Sequence, residues 1–576
     1  MSEVTYIKGK DESLENSIRF MQNILQEQGF DINEVKWLNP VENIFSLHIH
    51  DRICPGLFTN GKGASRKATL ASALGEYLER LSTNYFFSDY YLPSSTGDHQ
   101  AWLYYPHEKQ FALQDYKQCL NPKLWSIYDP HQEISASHLL SFNDDAEFIR
   151  AIEMRHAQTG EVAYFPMNLL SNLYASNGLS AGNTFDEAHV QGLSEIFERW
   201  VKNKILVENL CLPEVPVSVL QRFPSIVKSL ASLREQGLEV SVRDASLGGQ
   251  FPVMNVTLFD PSKGQCFASF GAHPIFEVAL ERTLTESLQG RHLDFLDGFQ
   301  VPTFDQQAVA EAENLENHFI DSSGLIHARF ISQQADFPFV DWNWDMETSQ
   351  QWQWLVALAG QQGFDVYVAD YEHYGFKACR IVAPGMSEVY PLDELIIKNQ
   401  NDGRVLRHAL QQFVQTNNPQ VVLDVLDEIG LSDHQGVASL IGLMPDSGSQ
   451  WSDLKVIDLR FWMELAAGDY PSAYDTLQGC KAYVHPQRPM AKVFEAFSMV
   501  LDIELEQLRF SDYRQGLVQL FGEDTVAYVE QHLQGKVVGW GCPIGMAAFK
   551  QSQRHQAMLG VYERARSAKQ MFYRAN

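Results

Sequence analysis

The sequence has no apolar run long enough to cross a membrane. A membrane-spanning helix needs about 20 consecutive apolar residues, and the longest candidate, residues 437–444, is far shorter. The N-terminus carries Asp11 and Glu12 where a secretion signal would need basic residues followed by an apolar stretch. These absences predict a cytoplasmic protein with no membrane partner.

Cysteine is scarce and scattered. The seven cysteines are odd in number, and no two have the two-residue separation of a zinc knuckle or a redox pair. We therefore expect reduced, mostly structural thiols. The cysteines are at positions 54, 119, 211, 266, 379, 480 and 542.

Positive charge is also in short supply. The chain has 44 Lys and Arg residues against 72 Asp and Glu residues, a formal net charge of −28 at pH 7. Such a chain repels nucleic-acid phosphates and anionic membranes. Direct binding of nucleic acid is not expected, and recognition of any phosphate must depend on a few local cations or on bound metal.

The first part of the chain has the patterns of a mixed fold. With 576 residues the chain is long enough for two or more domains. Phe45, Leu47 and Ile49 alternate with polar neighbours, as in a half-buried strand. Two further strand candidates flank the turn-forming segment 260–264. These two candidates are residues 251–259 and 266–270, and a third candidate is residues 365–369. We predict an α+β domain with antiparallel sheets.

A polar stretch, residues 398–403, separates this region from a tail with helical periodicity. We place the domain boundary there, giving domains 1–403 and 404–576. Leu454, Ile457, Phe461 and Leu465 recur at helical spacing, and Gly468 and Asp469 interrupt the pattern before it resumes. The tail is predicted to be all-α and tetratricopeptide-like (TPR-like); an irregular helical bundle is an equally good interpretation.

Three stretches place charged residues at helical spacing. The first, over residues 69–84, has Ser72, Glu76, Glu79 and Arg80. The second has Asn183, Glu187, Glu195, Glu198 and Arg199. The third, over residues 279–291, has Arg282, Glu286 and Gln289. Residues three, four or seven apart share a helix face, so each stretch predicts a helix with one polar stripe.

A Glu and an Arg at this spacing most often belong to a solvated surface, where a pair contributes about 0.2–0.5 kcal/mol. The neighbouring residues favour a different interpretation. Those around the first stripe are Leu70, Leu74, Tyr77, Leu78 and Leu81, and those around the second are Val190, Leu193, Ile196, Phe197 and Trp200. Helices that are apolar over most of their circumference are buried, so we expect the carboxylates to face an interior cleft.

Carboxylates that converge in a cleft stay ionised only if cations neutralise them. Mg²⁺ prefers oxygen ligands, usually one or two carboxylates with substrate phosphates and water, whereas Zn²⁺ would need Cys or His at suitable spacing. His48 and His50 share one strand face without an acidic or thiolate partner nearby, so a structural or surface role is predicted for both. The pattern favours a metal–nucleotide complex.

The sequence also has a partial match to the P-loop, a nucleotide-binding motif different from the Glu-rich stretches. Gly56, Gly61 and Lys62 nearly match the phosphate-binding P-loop, but Gly63 stands where a Ser or Thr would bind magnesium. The Gly-rich segment 59–65 is better interpreted as a turn before the first charged helix. A P-loop is therefore not predicted.

The three charged stretches resemble the motifs of the YcaO family. Its ATP site is marked by a Ser, Glu, Glu, Arg helix, an Asn, Glu, Glu, Glu, Arg helix and a later Arg, Glu, Gln helix. The segments FTNGKGASRKATLASALGEYLERLSTNYFF, SNGLSAGNT and CFASFGAHP are also closely similar to family sequences. The resemblance covers nearly the whole chain, most weakly over about the last 170 residues. It implies a YcaO-type ATP-binding domain with ATP and Mg²⁺ as cofactors.

The resemblance implies a role for each motif residue but identifies no catalytic group. The expected metal ligands, or their direct supports, are Glu76, Glu79, Glu187, Glu195, Glu198 and Glu286. The expected nucleotide-binding residues are Lys10, Ser17, Ser72, Arg80, Ser180, Asn183, Arg199, Arg282 and Gln289. Among them the arginines would neutralise phosphate charge, and Ser72, Asn183 and Gln289 would orient ribose or phosphate. Ser180, in a loop before Asn183, is equally well interpreted as an ordinary loop serine.

Family members use ATP to phosphorylate a peptide amide oxygen after a nucleophile has added to the carbonyl. The resemblance therefore implies an amide-activating enzyme with a peptide or protein substrate. It also implies an accessory role, beside a radical methylthiotransferase, in β-methylthiolation of an aspartate in a small-subunit ribosomal protein. Azoline-forming members usually end in a Pro-rich motif, unlike residues 572–576 here, so azoline synthesis is not expected. We expect a homodimer.

Two other functions are compatible with the sequence. In the first, the helical tail docks a protein partner and ATP only stabilises the fold, so that the chain is a binding module without chemistry of its own. In the second, the chain binds ATP but is catalytically inert. Release of phosphate from ATP in the presence of a substrate would separate the enzyme from both.

Overall fold

A computed structural model describes residues 4–93, 102–293, 296–484 and 488–575. Residues 1–3 and Asn576, which belong to the termini considered above, lie outside these ranges. The first elements are α1 Leu14–Glu27, β1 Ile32–Val41, β2 Ile44–Asp51, β3 Phe58–Gly63 and α2 Arg66–Ser82. They are followed by β4 Lys109–Ala112, α3 Pro122–Tyr128, β5 Phe148–His156, β6 Val162–Pro166, α4 Met167–Tyr174, β7 Leu179–Gly182 and α5 Phe185–Val207.

The middle of the chain again mixes strands and helices. Its first elements are α6 Val217–Leu220, α7 Pro224–Glu235, β8 Glu239–Asp244, β9 Val253–Asp260, β10 Gln265–Ala272 and α8 Phe276–Glu286. The next are α9 Gln306–Ala310, α10 Ala312–Ile320, α11 Thr348–Gln361, β11 Tyr367–Tyr371, β12 Lys377–Val382 and α12 Glu394–Ile397.

The described residues beyond this point form helices only. They are α13 Asn401–Thr416, α14 Gln420–Ile429, α15 Val437–Leu440, α16 Gln450–Asp453, α17 Val456–Ala467, α18 Tyr470–Tyr483, α19 Pro489–Leu505, α20 Phe510–Phe521, α21 Glu523–Leu533, α22 Met546–Gln551 and α23 Gln553–Ala575. No helix in the described ranges is both long and apolar enough to cross a bilayer.

Strands β1, β2 and β3 form an antiparallel sheet. Leu47 and Ile49 of β2 are buried, as their alternation predicts. The turn predicted over residues 59–65 is wrong, because most of these residues pair with β2 as β3. Glycine is required there since α2 crosses the strand closely: a β-carbon at Gly63 would lie 2.8 Å from the backbone nitrogen of Thr69.

The predicted hairpin is confirmed. β9 and β10 pair antiparallel from Asp260 opposite Gln265, and β8 completes the sheet. In the connecting turn, Asp260 Oδ1 accepts a hydrogen bond from the Ser262 N–H at 2.9 Å. The third sheet has the order β4-β5-β11-β12-β7, with β6 paired to β5. Its strand β11 begins two residues after the predicted position.

Helix α5 lies between the second and third sheets. Its buried side chains, among them Leu193 and Phe197, belong to one core with Phe270 of β10 and Ile381 of β12. An apolar helix with a polar stripe can occupy such a position only if the stripe faces an opening between the sheets. The α+β fold with antiparallel sheets and a helical C-terminal region is thus confirmed.

The helical tail begins within the polar stretch 398–403, because α13 starts at Asn401. Asn399 is buried, and its side-chain amide donates hydrogen bonds to the carbonyls of His138 and Leu395. Gly468, with a φ of 74°, ends α17, and Asp469 caps α18, as the interrupted pattern predicts. The domain boundary and the TPR-like character stay predictions.

The last helix returns to the first part of the chain. Met558 and Val561 of α23 belong to the core that also contains Ile24 of α1 and Leu78 of α2. The Tyr562 hydroxyl donates to the Leu103 carbonyl at 2.8 Å. α23 therefore shares a hydrophobic core with α2, one of the charged helices.

Candidate functional site

The three charged helices meet at one cavity of about 560 Å³. Strands β3 and β7 and the residues before α1 complete its wall. The predicted residues that line it are Lys10, Ser17, Ser72, Glu76, Glu79, Arg80, Asn183, Glu187, Glu195, Arg199, Arg282, Glu286 and Gln289. Ser180 and Glu198 are not in its lining.

Local sequence determines where α2 and α5 begin. The Ser65 hydroxyl caps α2 by accepting from the Ala68 N–H at 3.2 Å, and the Thr184 hydroxyl caps α5 by accepting from the Glu187 N–H at 3.1 Å. Such caps satisfy N–H groups that the first turn leaves without a partner. The cap on α5 places Glu187 in the first turn, at the entrance to the cavity.

The third charged helix is shorter than predicted. α8 ends at Glu286, and Gln289 lies in the following turn, which Gly290 permits with a φ of 74°. The side-chain amide of Gln289 donates to the Asn60 carbonyl of β3 at 2.6 Å. Gln289 thus reaches the cavity wall from a turn and not from the helix face that its spacing predicted.

Two arginines have the same environment on different helices. Arg80 lies 3.2 Å from both Glu76 and Glu79, with its guanidinium over the Tyr85 ring. Arg199 lies 2.6 Å from Glu195 and over the ring of Phe319, 4.2 Å from its centroid. Each cation is therefore held between carboxylate and aromatic ring, an arrangement that fixes a guanidinium plane.

One nitrogen of the Arg199 guanidinium has no hydrogen-bond partner among the described residues. This atom, Nη1, is buried. A buried donor of this kind costs about 1–3 kcal/mol unless it is satisfied. Because Arg199 lines the cavity, an anionic ligand there would supply the missing acceptor.

The N-terminal segment closes one side of the cavity. Lys10 Nζ lies 2.8 Å from Glu187, and the Asp11 N–H donates to the same carboxylate at 3.1 Å. The Ser17 hydroxyl donates to Asn183 Oδ1, and the Asn183 amide donates to Glu187, both at 2.8 Å. One connected network thus ties residues 10–17 to the start of α5.

Sequence reasoning missed several polar residues of the cavity wall, among them Lys62 and Gln191. Lys62 of β3 forms an ion pair with Glu286, and Arg282 donates to the side-chain carbonyl of Gln191. Gln191 falls four residues after Glu187 and four before Glu195, so the helical stripe could have identified it. Lys62 had been considered only as part of a P-loop, and no local pattern links a strand residue to α8.

Ser180 lies in strand β7 and not in a loop, and its side chain is buried. The hydroxyl donates to the Ala188 carbonyl at 2.7 Å, so it braces β7 against α5. Glu198 is partly buried on α5 and is not among the residues that line the cavity. Burial raises its pKa, although the cations Lys202 and Arg282 oppose the shift.

Burial also perturbs the charged groups of the wall. It raises the pKa of Glu79 to about 8, with nearby Arg80 opposing the shift. Burial and the neighbouring Arg282 together lower the pKa of Lys62 to about 8, although the carboxylates of Glu198, Glu195 and Glu76 oppose the shift. Perturbed groups gathered in a cavity are typical of functional sites.

The donor set fits Mg²⁺ bound with a polyphosphate better than a metal held by protein alone. No three acidic, His or Cys side chains in the described ranges are close enough to hold a metal ion by themselves. Mg²⁺ in nucleotide sites needs only one or two carboxylates, since phosphate oxygens and water complete its shell. Glu76, Glu195 and Glu286 are available for this, and each is currently turned towards a cation.

Comparison with known proteins identifies relatives along the whole chain. The family model described as YcaO cyclodehydratase, ATP- and Mg²⁺-binding, matches residues 60–387, and that of the YcaO cyclodehydratase C-terminal domain matches residues 403–571. The ribosomal protein S12 methylthiotransferase accessory factor YcaO of Escherichia coli K12 is 42% identical over 585 residues, covering 99% of each chain. An uncharacterized protein of Haemophilus influenzae is 41% identical over the same length and coverage.

A solved structure is similar at a lower level. It is that of YcaO from Methanopyrus kandleri bound with AMPPCP and Mg²⁺, with a TM-score of 0.40 and 18% sequence identity. The similarity covers 67% of this chain and 95% of that chain.

Proposed function

The chain belongs to the YcaO family of ATP- and Mg²⁺-binding enzymes, and from that membership we propose that it activates a backbone amide of a peptide or protein by phosphorylating the amide oxygen. The bound nucleotide would supply the phosphoryl group. After a nucleophile has added to the carbonyl carbon, ATP would phosphorylate the former amide oxygen and leave as ADP. That oxygen would then depart as phosphate, and the carbon would keep its bond to the nucleophile.

The strongest support is the composition of the cavity wall. Six lysine and arginine side chains and five predicted metal-binding carboxylates, from three helices, one strand and the N-terminal segment, line the same space. The cations are Lys8, Lys10, Lys62, Arg80, Arg199 and Arg282, and the carboxylates are Glu76, Glu79, Glu187, Glu195 and Glu286. Opposite charges in such number are needed where both a metal and a polyanion bind.

Within this proposal the residues divide the work by charge. Glu76, Glu195 and Glu286 would hold Mg²⁺, and Arg80 and Arg199 would neutralise charge on the phosphates. Each guanidinium lies against an aromatic ring and pairs with a carboxylate. These contacts would keep both groups oriented before the ligand binds. Such preorganisation lowers the cost of stabilising the transferred phosphoryl group.

The substrate is proposed to be a ribosomal protein. The Escherichia coli relative is named as an accessory factor of a methylthiotransferase acting on ribosomal protein S12, and similarity over 99% of both chains supports the same role here. The protein would then work in the cytoplasm beside a methylthiotransferase, with amide activation as its own chemical contribution.

Phosphate release tests the proposed function. The purified protein is incubated with Mg²⁺-ATP and with small-subunit ribosomal proteins, and phosphate is measured with and without each protein. We expect release from the wild type and a loss of about 100-fold or more in Glu76→Ala/Glu195→Ala, because two of the carboxylates proposed to hold the metal are removed. Glu208→Ala, which alters an exposed pair with Lys204 at the end of α5, is the matched control. Full activity of the double variant, or no nucleotide binding by the wild type, would refute the proposal.

A further inference from the structure

Lys62 of β3 lines the cavity and interacts with carboxylates from several helices. Its ammonium is paired with Glu286 of α8, and the carboxylates of Glu76, Glu195 and Glu198 are the other acidic groups that act on it. These four carboxylates come from three different helices. A single lysine on a strand thus forms an ion pair with a carboxylate of α8 and is attracted by carboxylates of α2 and α5, of which Glu76 and Glu195 also pair with Arg80 and Arg199.

The backbone that carries Lys62 is held tightly. Gly61 and Gly63 on either side lie against α2, where a β-carbon on Gly61 would clash with the Thr69 carbonyl. The Lys62 N–H itself points to the Ser72 hydroxyl at 3.4 Å. The position of the strand is fixed, whereas the four-carbon side chain of lysine can redirect its ammonium without moving the backbone.

A structural ion pair does not account for this placement. Lys62 and Glu286 are 28% and 33% exposed, and pairs with this much contact to solvent contribute little to stability. Lys62 also lies beside a second cation, Arg282, which repels it. Two adjacent cations facing a cavity are expected where a polyanion binds.

We propose that Lys62 is a phosphate-binding residue that also serves as the counter-ion of the metal-binding carboxylates. When Mg²⁺ and nucleotide bind, the ion pair between Lys62 and Glu286 would break, Glu286 would bind Mg²⁺, and the Lys62 ammonium would pair with the phosphates. This inference rests on the proposed function. A divalent ion outcompetes a monovalent ammonium for a carboxylate, and the ammonium, repelled by the metal, moves to the nearest anion. Binding of metal and binding of nucleotide are thereby coupled through one side chain.

The proposal predicts effects of opposite sign on two ligands. Lys62→Met should weaken binding of Mg²⁺ with the non-hydrolysable analogue AMPPCP by about 10-fold or more, the usual effect of losing a charged hydrogen bond. Binding of AMP, which lacks the outer phosphates, should change less than about threefold. Binding of Mn²⁺ alone, measured by electron paramagnetic resonance, should become at least about threefold tighter because a competing charge is gone.

Three further variants complete the experiment. Lys62→Arg should retain AMPPCP binding, and Lys62→Gln is a second neutral variant in case Lys62→Met does not fold. Lys67→Met is the matched control, since Lys67 is exposed at the start of α2 and pairs with Glu15. Unchanged AMPPCP binding in the neutral variants, an equal loss of AMP and AMPPCP, or Mn²⁺ binding that does not tighten would overturn the proposal. If the wild type binds no nucleotide, the proposed function fails, whereas the Mn²⁺ measurement still tests the counter-ion role of Lys62.

Discussion

Gly9 packs so closely on the imidazole of His273 that a β-carbon at position 9 would lie 2.8 Å from two ring atoms. Gly9 has a φ of 73°, a conformation that favours glycine. His273 is fixed in turn, because its Nδ1 accepts the Ile275 N–H at 3.0 Å. This contact holds the N-terminal segment over the cavity, one residue before Lys10.

Gly9→Ala should therefore weaken nucleotide binding. The new methyl group must push the segment away from His273, which separates Lys10 from Glu187. Gly160→Ala is the matched control, since Gly160 has a φ of 74° and no atom within 4 Å of the added carbon. The positive φ alone should cost both variants about 1 kcal/mol of unfolding free energy, and the contact with His273 adds to the loss in Gly9→Ala. Only Gly9→Ala should lose Mg²⁺-ATP affinity in calorimetric titration. Equal affinities would show that the segment does not contribute to the site.

The hydrogen bond from Ser17 to Asn183 leads to a second prediction. Ser17→Ala leaves Asn183 Oδ1 without this donor, so the amide can rotate away from Glu187. A lost neutral hydrogen bond costs about 0.5–1.5 kcal/mol, which corresponds to about 2- to 12-fold weaker Mg²⁺-ATP binding. Ser126→Ala, at an exposed hydroxyl on α3, should bind as the wild type does. Unaltered affinity of Ser17→Ala would show that the orientation of Asn183 does not contribute to nucleotide binding.

The parts of the site that were predictable depend on local periodicity. The spacing of Glu76, Glu79 and Arg80 within an apolar helix was sufficient to indicate a stripe facing a cleft, because burial of the surrounding residues leaves that face no other environment. The same holds for Glu187 and Glu195. The antiparallel hairpin was likewise predictable, since its alternation and its turn residues lie within one short segment.

Contacts between distant segments were not accessible in this way. Lys62 meets Glu286 across 224 positions of sequence, and neither residue type nor spacing specifies that pairing. Ser180 fitted the sequence motif, but the pleat of β7 turns it into the core. Lys10 and Ser17 were placed by family resemblance alone, since no pattern in residues 4–17 points to α5.

The packing of α23 against the first part of the chain leads to a third prediction. Lys569 is fully buried, and its ammonium donates to the Ser82 carbonyl at 3.0 Å and to Asn84 Oδ1 at 2.6 Å, at the end of α2. Lys569→Ala leaves both acceptors unsatisfied and opens a cavity, at a cost of about 2–4 kcal/mol. Urea unfolding measures this loss, and Lys550→Ala, at an exposed position on α22, should be neutral. A loss below about 1 kcal/mol would show that α23 is not anchored there.

His555 has a comparable position at the start of α23. Its side chain is fully buried, and its Nδ1 accepts the Met444 N–H at 3.1 Å. An accepting nitrogen must be unprotonated, and burial lowers the pKa of His555 from 6.5 to about 4. Protonation would therefore both charge a buried ring and break the bond that joins α23 to residue 444.

The sign of the pH dependence follows from that shift. Between pH 6.5 and about 4 the unfolded chain binds the proton and the folded chain does not, so the contribution of His555 is complete above pH 6.5 and is lost as the pH falls towards 4. The shift corresponds to about 3 kcal/mol. His555→Gln, whose carbonyl can accept the Met444 N–H without titrating, should lose less stability than the wild type between pH 7 and 4 in denaturant titrations at fixed pH. His131→Gln, at an exposed histidine, should follow the wild type; if His555→Gln does so as well, the buried imidazole is not what weakens the protein in acid.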